Sequence, residues 1–183
     1  MNIRTIGVVF VGFLGVLTVG TFILPTELNI ERAILVDAEP GDLYATIADL
    51  GNWNDWEPWG TGTINPQTTG IGASRGWPGG GELVLSELKA DEIHYQIHNL
   101  PIPASGFLAL QEVEGGTAVI WVHQSQTGYG PISRVAGWAM RGALAQDLDV
   151  GLARLKTISE RQTAPSQANA PKEVDDGVES PAQ

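Results

Sequence analysis

The chain of 183 residues contains no cysteine. Disulfides, thiolate nucleophiles and cysteine-based zinc sites are therefore excluded, while the redox compartment stays open. Positive charge is also scarce: ten Lys and Arg stand against 21 Asp and Glu, a formal net charge of −11. Most of the deficit lies in residues 26–161, where 17 acids face eight bases; residues 162–183 add four acids and one base, and Arg4 supplies the remaining cation. An acidic domain without a basic stripe is a poor match for nucleic acid, whose binding needs clustered Lys and Arg. Electrostatic docking onto an anionic membrane surface is disfavoured for the same reason. Catalytic signatures are missing too. No serine sits in a G-x-S-x-G setting, no H-E-x-x-H occurs, and no glycine loop leads from a strand into a helix. No cofactor and no metal site is expected.

What is present begins with a long apolar run. Ile6 to Leu24, "IGVVFVGFLGVLTVGTFIL", is 19 residues without a charge or an amide. As a helix it would be about 28 Å long, close to the hydrocarbon core of a bilayer. A cleaved signal peptide would want a shorter apolar region and a small-x-small site, yet residues 1–32 hold no alanine, and Val19-Gly20-Thr21 is a weak candidate. Residues 1–25 are thus expected to be a single-pass transmembrane anchor. Arg4 and the α-amino group favour an inside N-terminus, which places the following domain on the extracytoplasmic side. At the other end, residues 162–183 are rich in Pro, Ser, Gln and acids, and are expected to form a disordered acidic tail.

Between these ends, residues 26–161 switch between periods of two and 3.6. "LNIERAILV" (28–36) reads as a strand and "EPGDLYATIADL" (39–50) as a helix, with Pro40 near its start and Leu43, Ile47 and Leu50 on one stripe. Residues 70–77, 81–88, 92–98, 105–113 and 117–126 read as strands joined by glycine-rich or polar turns, so the pairing is antiparallel. A long helix over 133–161 carries Leu144, Leu148, Leu152, Leu155 and Ile158 on one face. Gly137, Gly142 and Gly151 cost helix stability, about 1 kcal/mol each against Ala. They indicate either close backbone approach or open space beneath the helix. The layout is α+β.

Half of the six tryptophans fall within "WNDWEPW", at Trp53, Trp56 and Trp59. Pro58 and Gly60 exclude a long regular helix there, so the stretch is predicted to be a short turn whose rings fold onto something apolar. Asp49, Asp55 and Glu57 beside them are expected on a solvated face. His94 and His98 lie on a polar strand face opposite Ile93, Tyr95 and Ile97, about 13 Å apart along the strand and too far to share a metal. His123 shares a face with Val119 and Trp121, and is either a satisfied core histidine or a donor or base toward a ligand. Arg75 is either an exposed strand arginine or a partner for an acidic head group. Trp77, Trp121 and Trp138 are either packing residues or part of a cavity wall.

The order β–α–several β–α resembles the START-like helix-grip fold, a curved antiparallel sheet wrapped around a long C-terminal helix. "NWNDWEPW" (52–59), "GIGASRGW" (70–77), "GTAVIWV" (116–122) and "DLDVGLARLK" (147–156) look like the polyketide cyclase/dehydrase and lipid-transport branch of the SRPBCC superfamily. The likeness spans about 28–160. It implies an apolar cavity between sheet and long helix, with the segment after the first helix at one end. The candidates for lining it are Trp53, Trp56, Trp59, Trp77, Trp121, Trp138, His123 and Arg75. The expected function is membrane-anchored binding of a hydrophobic small molecule or lipid. The alternatives are a cyclase, hydratase or isomerase using His123 on an apolar substrate, and a packed envelope module that binds another protein. The residues favour binding over turnover.

Overall fold

The computed structural model describes residues 25–168 apart from Tyr129; for 164–168 it describes the backbone only. The expected anchor, Ile6 to Leu24, lies outside the described residues. Among those described, no helix is long and apolar enough to cross a membrane.

The chain opens with strand β1 (Glu27–Val36), followed by helix α1 (Pro40–Ala48), a 3-10 turn (Leu50–Asn52) and the one-turn helix α2 (Trp53–Trp56). Six further strands follow: β2 (Thr63–Ile64), β3 (Ser74–Gly76), β4 (Glu82–Leu88), β5 (Glu92–His98), β6 (Ala104–Val113) and β7 (Gly116–Gln126). Helix α3 (Pro131–Ala168) ends the described chain. All strands pair antiparallel in one sheet of order β1-β7-β6-β5-β4-β3-β2. The first strand therefore closes against the last, and α3 packs across β1 and β7.

Alternation along the strands sorts the faces as their sequences require. Ile93, Tyr95 and Ile97 of β5, Leu108 and Leu110 of β6, and Val119, Trp121 and His123 of β7 are buried. The polar face of β5 stays at the surface, where the His94 ring stacks on Phe107 and its Nε2 lies 2.8 Å from Glu92 Oε2. The leucine stripe of α3 docks as expected: Leu148, Leu152 and Leu155 are buried, with Leu144 and Ile158 packed against the same core. Full burial of each such side chain contributes about 1.5–3 kcal/mol.

Apart from shifts of one or two residues, two boundaries and one strand differ from expectation. The strand expected over 70–77 shrinks to Ser74–Gly76, because Gly70 and Gly72 have positive φ and turn the chain. The short partner strand β2 had no alternation long enough to reveal it. Helix α3 continues beyond Arg161 to Ala168, into the stretch expected to be disordered. Residues 169–183 lie outside the described chain.

Candidate ligand-binding site

The tryptophan segment follows from where α1 stops. Asp49 leaves helical geometry and its side chain accepts from the Gly51 amide at 2.8 Å, starting the 3-10 turn. One more turn, α2, places Trp53 and Trp56 on the core side, both with no exposure. The Trp53 indole donates to Ile47 O at 2.7 Å, an unsatisfied carbonyl near the end of α1. Trp56 lies 4.7 Å from Trp53 and 5.5 Å from Trp121, centroid to centroid. The rings reach β7 and not solvent, and Gly151 of α3 closes over them. A Cβ on Gly151 would lie 2.7 Å from the Trp121 ring and 3.0 Å from Pro58. That glycine marks close approach, whereas Gly142 has nothing within 4 Å.

Beside this aromatic wall, between the sheet and the first half of α3, is a cavity of about 430 Å³. Trp59, Trp77, Ile97, Ala104 and Leu144 line it, and exposed Pro78, Gly79, Leu100 and Met140 form its rim. Besides the indoles of Trp59 and Trp77, its polar lining groups are His123, Ser125 and Thr127; none of the described lining residues is charged. Trp59 stands at the junction, 5.6 Å from both Trp121 and His123 and 6.0 Å from Trp77.

His123 is held from one side by a relay that sheet register builds. Tyr95 of β5, Gly106 of β6 and His123 of β7 are directly opposed. A Cβ at Gly106 would lie 2.4 Å from the Tyr95 hydroxyl, so only glycine lets the phenol cross the middle strand. Trp121 Nε1 donates to Tyr95 Oη at 3.0 Å, and Tyr95 Oη lies 3.1 Å from His123 Nδ1. Burial pushes the tyrosine pKa up and holds His123 down at about 4, so both are neutral near pH 7.

The candidate residues therefore divide. Trp59, Trp77 and His123 line the cavity. Trp53, Trp56 and Trp121 form the wall behind it. Trp138 is 65% exposed and sits over a separate surface pocket beside Arg32 and Arg141. Arg75 is fully buried and lies outside the cavity lining. Its Nη1 is 3.0 Å from Glu57 Oε2, while Nη2 donates to Asn54 Oδ1 at 2.8 Å and Gly60 O at 3.1 Å. The guanidinium is a clamp that fixes the tryptophan segment onto β3. The expectation of an exposed arginine is corrected, and so is that of a solvated Glu57, which is buried with it, while Asp55 is exposed as expected. Burial raises the Glu57 pKa, opposed by the Arg75 charge and by the Trp59 amide donating to Glu57 at 2.7 Å. The residues missed from sequence are Tyr95, which orients His123, and the aliphatic rim around Leu100, Ile102 and Met140. A lone glycine inside β6 was the available signal for the first.

The profile of the family described as polyketide cyclase/dehydrase and lipid transport matches residues 27–160, and the chain belongs to that family. A comparison with curated protein sequences finds no match. Among solved structures, the chain is similar to the di-domain ARO/CYC StfQ from the steffimycin biosynthetic pathway (TM-score 0.59, 17% identity), with 76% of this chain and 52% of that one covered. The chain thus spans about half of that protein. It also resembles a protein from Nitrosospira multiformis (TM-score 0.59, 17% identity, 74% of this chain and 99% of that one). A third is the Aha1 dimer from Colwellia psychrerythraea (TM-score 0.56, 19% identity, 73% and 96%). At these identities the likeness shows the fold alone.

Proposed function

We propose that this domain binds a hydrophobic small molecule or lipid in the cavity between the sheet and α3, while residues 6–24 anchor it in a membrane. The carrying observation is the cavity itself: about 430 Å³, apolar apart from three neutral polar side chains, within the usual size range of small-molecule sites. Its place relative to the anchor supports the same reading. The apolar run ends just before Pro25, and Thr26 O accepts from the Thr127 hydroxyl at 3.0 Å. Thr127 lines the cavity and abuts Gly137, so the chain enters the domain beside the first half of α3. That half exposes Ile132, Val135, Trp138 and Met140, and residues 127–146 hold two arginines and no acid. In an otherwise acidic domain, this end suits contact with a bilayer, with Trp138 at the headgroup level. Ligand would then reach the cavity from the lipid phase.

The test is native mass spectrometry of the full chain after incubation with a total lipid extract. A discrete one-to-one adduct is expected. A clean apo mass would favour a packed interaction module. Alkaline extraction of membranes should leave the full chain in the pellet, and its release would sink the anchor. A second reading, turnover of an apolar substrate, draws on the neutral His123 at the cavity wall. Under it, His123→Ala would lose turnover and keep binding.

A further inference from the structure

Resting on the binding reading above, the hydrogen-bond relay narrows the ligand class. A tryptophan N–H can only donate, so Tyr95 Oη accepts from Trp121. The remaining polar hydrogen at that oxygen is the tyrosine's own. Its acceptor among the described residues is His123 Nδ1, and a buried hydroxyl without an acceptor is costly. Nδ1 must then be unprotonated, which places the ring hydrogen on Nε2. Nε2 has no hydrogen-bond partner among the described residues, and the ring lines the cavity. The cavity thus carries an oriented N–H donor in an apolar wall. Ser125, Thr127, whose hydroxyl already donates to Thr26 O, and the indoles of Trp59 and Trp77 are the other hydrogen-bonding side chains lining it. The buried cation nearest the aromatic wall, Arg75, is committed to Glu57, Asn54 and Gly60.

We propose that the cavity selects an uncharged, apolar ligand bearing an acceptor oxygen, a carbonyl, ester or ether, which takes its hydrogen bond from His123 Nε2–H, and that it excludes carboxylate-bearing amphiphiles. An anionic head group placed there would meet only neutral donors and no counter-charge among the lining residues, which does not compensate a desolvated charge. A pure hydrocarbon would fit but leave the imidazole N–H unsatisfied. Tyr95 acts as a positioning residue, because it fixes which imidazole nitrogen carries the hydrogen.

The experiment is competitive native mass spectrometry on the full chain in amphipol at neutral pH, with methyl laurate, laurate and dodecane supplied together. The ester should exceed laurate by about tenfold or more, the ratio that corresponds to a modest unpaired-charge penalty. It should exceed dodecane by about 3- to 10-fold, as expected for one net hydrogen bond. Tyr95→Phe should shrink the ester-over-dodecane ratio toward unity and change the ¹⁵N shifts of His123 away from those of the Nε2–H tautomer. Laurate binding as well as the ester would overturn the proposal and leave the cavity reading standing. Equal binding of ester and dodecane by the unaltered chain would remove the donor role of His123. Binding of none of the three would sink the proposal and the cavity reading together.

Discussion

Arg75 and Glu57 are two residues that sequence places on different segments, a three-residue strand and the end of a one-turn helix. Neither periodicity nor composition could pair them, because the contact depends on how the segment at 54–62 folds back over β3. Once paired and buried, they follow the rule that removing one member leaves an uncompensated charge. Arg75→Met should destabilise the domain by about 3–5 kcal/mol in urea titrations. The double variant Arg75→Met/Glu57→Leu should recover most of that loss; equal destabilisation would mean that the Asn54 and Gly60 bonds dominate. His123 gives a pH-dependent counterpart. Its pKa is held at about 4 against 6.5 by burial. The unfolded chain therefore takes up a proton at a pH where the native state does not, and stability falls as pH drops from about 6.5 toward 4. Between about pH 7.5 and pH 5 the histidine should cost about 2 kcal/mol. His123→Phe, measured against the unaltered chain at both values, should lack that increment; identical pH dependence in the two chains would contradict the buried neutral imidazole.

Among the elements, the strands and both long helices were legible because each has enough residues for a period to show. Leu43 and Ile47 of α1, the alternation of β5, and Leu148, Leu152 and Leu155 of α3 are buried as their spacing requires. What escaped was short or depended on register. Strand β2 has two residues, and the Tyr95–Gly106–His123 alignment exists only once three strands are paired. The α3 glycines, ambiguous in the sequence, now separate into opposite predictions. Gly151→Ala should destabilise, because overpacking against Trp121 and Pro58 costs about 1–3 kcal/mol and exceeds the propensity gain of about 1 kcal/mol. Gly142→Ala has open space and should gain up to about 1 kcal/mol. Thermal melts of the two variants moving in the same direction would refute this view of how α3 seats on the aromatic wall.

For the whole molecule, the tryptophan segment acquires a purpose that no residue in it reveals alone. Trp53 and Trp56 fill one end of the sheet–helix space with a solid aromatic wall, and Trp59 turns the corner into the part left open. The same layers are therefore packed at one end and hollow at the other, and the hollow end is where the chain arrives from residues 1–24. Its claimed role is tested most directly by filling it. Ala104 lines the cavity from β6 and belongs to neither the aromatic wall nor the ion pair, so Ala104→Phe would occupy the space. Native mass spectra of the full chain, with and without this substitution, should show a lipid-extract adduct on the unaltered protein and little or none on a variant that retains its circular dichroism. Equal adduct on both chains, or none on the unaltered chain, would contradict a ligand-holding cavity.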